Sequence, residues 1–106
     1  MIIVTGTIEV ESTAELERVK GALIRRANKS RADEGNLEYV FSVSLENPLQ
    51  IRLVETWQSE ALLDAHLMVP DEEFNDVIAT AKITLVTVDM HEVSSSRELL
   101  RHSVRS

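Results

Sequence analysis

What most constrains this chain is the way its apolar residues change period from one stretch to the next. Ile2 to Val10 is β-branched and extended in character, which predicts a strand. After Ser12, the residues Leu16, Val19, Ala22, Leu23 and Ala27 recur at helical spacing, so they share one face of a helix. Alternation returns over Leu37, Tyr39, Phe41 and Val43, breaks at Glu46-Asn47-Pro48, and resumes from Gln50 to Trp57. A second helix is predicted from Glu60 to about Met68, broken at Val69-Pro70 because proline disfavours helix in the residue before it. Asp71 opens a further helical piece carrying Phe74, Val77 and Ile78, and Lys82 to about Glu92 is a last strand. The order β-α-β-β-α-β predicts an α+β fold, the ferredoxin-like split unit with a four-stranded antiparallel sheet.

Local chemistry agrees with these boundaries. Ser12-Thr13-Ala14-Glu15 has the form of a capping box, in which the serine and the glutamate each satisfy an orphan backbone donor. Gly35 suits a stop beyond the last turn of the first helix. The strands are apolar on both sides: Val86, Val88 and Met90 oppose Ile83 and Leu85, and Ile2 and Val4 oppose Ile3. Two helices cover only one face of such a sheet, so the other face is expected to be buried against a second copy about a two-fold axis.

At 106 residues the chain is one domain. Residues 1–93 hold the predicted elements, and residues 94–106 form a tail in which Arg97, Arg101 and Arg105 recur every fourth position, as in a short helix packing on the partner subunit. The first 93 residues carry 8 Lys/Arg against 17 Asp/Glu, and an acidic body of this kind repels nucleic-acid phosphates. No cysteine is present, which removes disulfide and thiolate chemistry. No apolar run reaches the ~20 residues of a membrane span, so a soluble, cytoplasmic protein with no membrane partner is expected. No two histidines stand at i,i+3 or i,i+4, and with 3 glycines there is no nucleotide-binding loop. Neither a metal site nor a conventional cofactor is implied.

Three motifs occupy the middle of the chain in order: Glu34-Gly35-Asn36-Leu37-Glu38-Tyr39, Leu53-Val54-Glu55-Thr56-Trp57 and Leu63-Asp64-Ala65-His66-Leu67. From about Ile2 to Met90 the chain resembles the antibiotic biosynthesis monooxygenases, small ferredoxin-like domains with a Glu-x-Gly before an aromatic strand, a Glu-x-Trp closing the next, and an Ala-His-Leu in the following helix. The resemblance implies a dimeric α+β barrel with one pocket per subunit. It also implies oxidation of a phenolic or quinol-type aromatic by molecular oxygen.

His66 is the first candidate catalytic residue, at the edge of an apolar helical stripe where it either serves as a base or packs as a partly buried structural histidine. Glu55 and Trp57, two apart, share a strand face with Ile51 and Leu53. A carboxylate there needs a partner, and Glu55 is the second catalytic candidate. Trp57, Tyr39 and Phe41 are candidate pocket walls for a flat, quinone-like ligand, core packing being the alternative for each. Asn36 is a candidate pocket edge or a turn residue, and Met68 and Phe74 flank the helix break as candidate lid residues. Haem degradation, known for some relatives of this fold, is disfavoured: Gly6 and Thr7 stand where their strand asparagine would fall, and no histidine lies between Asp71 and Ala81. A proton-transfer isomerase and a non-catalytic dimeric binding module ask for the same pocket and stay open beside the oxygenase.

Overall fold

The computed structural model describes residues 1–103. Its elements are β1 (Ile2–Val10), α1 (Thr13–Arg31), β2 (Asn36–Val43), β3 (Gln50–Trp57), α2 (Glu60–Met68), α3 (Glu72–Thr80) and β4 (Ile83–Glu92). The four strands form one sheet in the order β2-β3-β1-β4, every pair antiparallel. This is the ferredoxin-like α+β arrangement that the periodicity predicts. Among the described residues no helix is long and apolar enough to cross a membrane.

α1 starts where Ser12 Oγ accepts the Glu15 N–H at 3.3 Å. The reciprocal half of the predicted box does not form. The Glu15 carboxylate turns instead to Arg18 and to the Lys82 N–H, each at 3.3 Å, so it ties the start of α1 to the entry of β4. Asp71 caps α3 through the Phe74 N–H at 3.1 Å. Gly35 lies beyond α1 with φ +83°, and a Cβ there would come within 2.4 Å of Leu62 Cδ1. Only glycine suits a turn that is both left-handed and pressed against α2.

The pairing of β2 with β3 slips between Asn36 and Glu38. This bulge adds a residue, so Leu37 leaves the face it would share with Tyr39 and is exposed. The core lies between the sheet and the helices in two adjoining clusters. Trp57, Tyr39, Leu53 and Leu63 anchor one, Ile8, Val19, Leu23 and Ile51 the other, and Phe41 packs on both.

Uncovered apolar residues lie on both faces of the sheet. The helix-free face pairs aliphatic residues such as Ile3 and Val54 with Thr5, Thr7, Thr56 and Asp89, and the Arg52 guanidinium donates to the Thr7 hydroxyl across it. Val40 and Leu85 are exposed on that face as well, while Val86, Val88 and Met90 are exposed opposite Ile8, Gly6 and Val4 and therefore on the helix side of the sheet. α1 packs on β1 and β2, α2 on β3, and α3 on α1. The helix layer reaches the edge strand β4 only at its first residue, Ile83.

Past β4, residues 93–103 form neither helix nor strand. Arg101 pairs with Glu98 at 2.8 Å while Leu99 and Leu100 stay exposed. A segment this short has no helical stability of its own without a surface to pack on. Val104 and Arg105, the end of the predicted tail helix, lie outside the described residues.

Candidate functional site

The hollow between the sheet and the α2–α3 break follows from three local decisions. β3 alternates strictly, so Leu53, Glu55 and Trp57 all point under the helices. α2, capped by Ser59, turns Leu63 and His66 inward. The Val69-Pro70 break then redirects the chain so that α3 brings Phe74 and Ile78 over the same space. The result is a cavity of about 260 Å³ floored by Gly6, Ile8 and Leu53 and walled by Tyr39, Phe41 and Phe74. It opens between Leu67 and the β4 residues Val86 and Val88. It is apolar apart from Arg26, Glu55 and His66 and the backbone near Thr7 and Thr87, the composition expected of a small-molecule site.

His66 is 5 % exposed. Its ring lies 4.7 Å from the Trp57 ring at a 37° tilt, and 5.9 Å from Tyr39 edge-on. Nδ1 is 2.6 Å from Asp33 Oδ2, and Nε2 is 3.0 Å from Arg26 Nη2. The imidazole is thus held at both nitrogens and on its face.

Arg26 reaches in from α1, its guanidinium 5.2 Å from the centre of the Phe74 ring, a cation–π contact. Its Nη1 meets Asp71 Oδ2 at 3.5 Å, while Lys29 approaches Asp71 Oδ1 at 3.6 Å. Burial works against the charge on Asp71, but the Phe74 N–H, Lys29 and Arg26 together outweigh it and hold the carboxyl below its usual range. Among the described residues Arg26 Nε and Asp71 Oδ2 are buried without a hydrogen-bond partner. A buried guanidinium N–H without a partner is costly.

Glu55 accepts the Trp57 indole N–H at 3.0 Å. Burial pushes the Glu55 carboxyl up, and the Trp57 N–H and the Arg26 charge pull it back without cancelling the effect. Burial and the neighbouring Glu55 likewise raise Tyr39. Folding therefore binds the Glu55 proton more tightly than the open chain does. Its favourable contribution is complete below the unfolded carboxyl range and is lost as pH climbs through the raised folded one. Glu55→Gln should match the wild type in urea denaturation near about pH 3 and gain on it progressively toward neutrality. Curves that stay parallel across the series would contradict this.

Of the residues singled out from sequence, His66, Glu55, Tyr39, Phe41 and Phe74 meet at the cavity. Trp57 is fully buried behind His66 and Glu55 and does not line it. Asn36 sits at the bulge, its amide donating to the Glu38 carbonyl at 3.0 Å. Met68 is 82 % exposed and points away. His91 is on the helix-free face beside Thr5. Arg26 and Asp33 were not anticipated. A signal existed for Arg26, which stands four residues from Ala22 and from Ser30, both buried. Asp33 had none, because it meets His66 only through the fold.

Among the described residues no group of three or more His, Cys, Asp or Glu side chains could hold a metal ion. The structure is similar to that of a candidate antibiotic biosynthesis monooxygenase from Deinococcus radiodurans, with a TM-score of 0.84 at 21% identity over 95% of this chain and 100% of that one. A second such candidate, from Nitrosomonas europaea, gives 0.79 at 16% identity, covering 90% and 100%. A Bacteroides thetaiotaomicron protein described as of unknown function and a possible oxidoreductase gives 0.70 at 20% identity, covering 87% and 96%. At these identities the likeness establishes the fold. No curated protein matches the chain. The model of the antibiotic biosynthesis monooxygenase family matches residues 1–71, a span that includes the Glu55–Trp57 pair and His66, and the chain belongs to that family.

Proposed function

We propose that the protein is a cofactor-independent monooxygenase that oxidises a phenolic or quinol-type aromatic with molecular oxygen. The observation that carries this reading is a single one: an apolar, aromatic-walled cavity in which the His66 imidazole and the Arg26 guanidinium stand side by side. The ligand ring packs among Tyr39, Phe41 and Phe74. His66 removes the acidic proton, and Arg26 balances the charge left on the substrate oxygen, in a space dry enough to give that charge full effect. The electron-rich anion then reduces oxygen. For a phenol the balance is phenol plus O2 to quinone plus water, one oxygen atom replacing a ring C–H and the other leaving in water. The returning proton comes from His66. Glu55, whose raised carboxyl keeps its proton more readily, orients Trp57 beneath the base.

A second copy is the proposed partner. Val86, Val88 and Met90 form an exposed apolar strip on the cavity's own side of the sheet, with Leu67 at the rim. Covering that strip would close the mouth against water. A cytoplasmic setting suits a chain without cysteine.

Oxygen-18 tests the reading. With 18O2 and a panel of hydroquinones and anthrone-like phenols, one labelled atom is expected in the quinone product and one in water. Label in peroxide alone would indicate an oxidase, and protein-dependent substrate conversion without any label would indicate a proton-transfer isomerase.

A further inference from the structure

We infer that Asp33 is a positioning residue for His66: it holds the imidazole with its proton on Nδ1 and its lone pair on Nε2, aimed at the cavity. The inference rests on the proposed use of His66 as a base and follows from the donor and acceptor inventory at the ring. A guanidinium donates and never accepts. Arg26 Nη2, 3.0 Å from Nε2, therefore requires that nitrogen to be the acceptor. An ionised carboxylate accepts and never donates. Asp33 Oδ2, 2.6 Å from Nδ1, therefore requires that nitrogen to carry the proton. The two contacts demand the same tautomer from opposite sides.

Position separates the two partners. Arg26 is on the cavity side, where a substrate oxygen would compete for its N–H groups. Asp33 is on the outer side, in the turn between α1 and β2, with its side chain 45 % exposed. When a ligand draws Arg26 away from Nε2, the Asp33 contact still fixes the ring and keeps the lone pair inward. The base then gains a proton at Nε2, and the resulting imidazolium keeps its Nδ1–H on the Asp33 carboxylate. The surrounding fold does not depend on Asp33 packing, because the residue is exposed.

The test is nitrogen-15 NMR of the His66 ring in the full-length wild type, Asp33→Ala and Asp33→Glu, together with steady-state kinetics on a substrate found in the panel above. The wild type should show the proton on Nδ1. Asp33→Ala should show a mixture of the two tautomers, lose roughly tenfold to a hundredfold in kcat and keep KM within about twofold. Asp33→Glu should restore much of both signatures. A wild-type ring protonated on Nε2, or a tautomer ratio unchanged in Asp33→Ala, would overturn the inference. If the tautomer responds as expected while no substrate is turned over, the oxygenase reading fails and the placement by Asp33 stands, since the NMR readout needs no activity.

Discussion

Trp57→Ala should cost the domain most of its stability. The indole is fully buried at the end of β3, packed against His66 at 4.7 Å and hydrogen-bonded to Glu55. Truncating a buried tryptophan costs about 3–5 kcal/mol in lost transfer energy and cavity. The buried Glu55 carboxyl also loses its Trp57 donor, a further penalty of about 1–3 kcal/mol. A domain of this size is stable by roughly 5–15 kcal/mol in all, so the variant should unfold well below the wild type or fail to accumulate. Trp57→Phe helps to apportion the two causes, because it removes the N–H while keeping one aromatic ring and so opening a smaller cavity than Ala. Thermal and urea denaturation of the three proteins measure both. A Trp57→Ala midpoint within a few degrees of the wild type would mean that this end of the core is held by something else.

The second large effect is on turnover. His66→Ala removes the only histidine that lines the cavity among the described residues, and with it the group proposed to take the substrate proton. Loss of general-base catalysis is worth about 10²- to 10⁴-fold. The effect should fall on kcat, since the aromatic walls and Arg26 that hold the ligand remain. Stability should also suffer, because the imidazole fills space beside Trp57, so activity is to be compared at a temperature where both proteins are folded. Ligand binding without turnover in the variant would tie His66 to the chemistry; equal loss of both would tie it to the shape of the cavity.

Much of this arrangement is legible in the residues alone, and the limits have physical causes. Element order and type follow from periodicity because each strand and helix has one buried face: β3 alternates without exception from Ile51 to Trp57, and α1 keeps its stripe from Leu16 to Ala27. The break at Pro70 is written in proline's own sterics. The spacing of His66 from Leu62 puts it at the edge of the apolar stripe, and the fold turns it inward.

Other features depend on distance in space. Nothing near Asp33 in the chain says that it meets a ring 33 positions later. Arg26 reads as one more charge on a helix, and the reach of its long side chain into the core is decided by the small residues Ala22 and Ser30 on either side. Glu55 and Trp57 are expected to need partners, but that each is the other's partner depends on rotamers. Leu37 fails as a core residue because a bulge, invisible to strict alternation, shifts the face it occupies. β4 is apolar on both faces as expected, yet whether Val86, Val88 and Met90 are covered depends on how far the helices extend across the sheet.

The central claim is that His66 makes this cavity a site of oxygen chemistry, and oxygen uptake by metal-free protein with the hydroquinone and phenol panel, wild type beside His66→Ala, tests it most directly. The account predicts protein-dependent uptake that the variant lowers by about 10²-fold or more. Uptake no greater than the substrates' own autoxidation, or uptake that survives in His66→Ala, would contradict it.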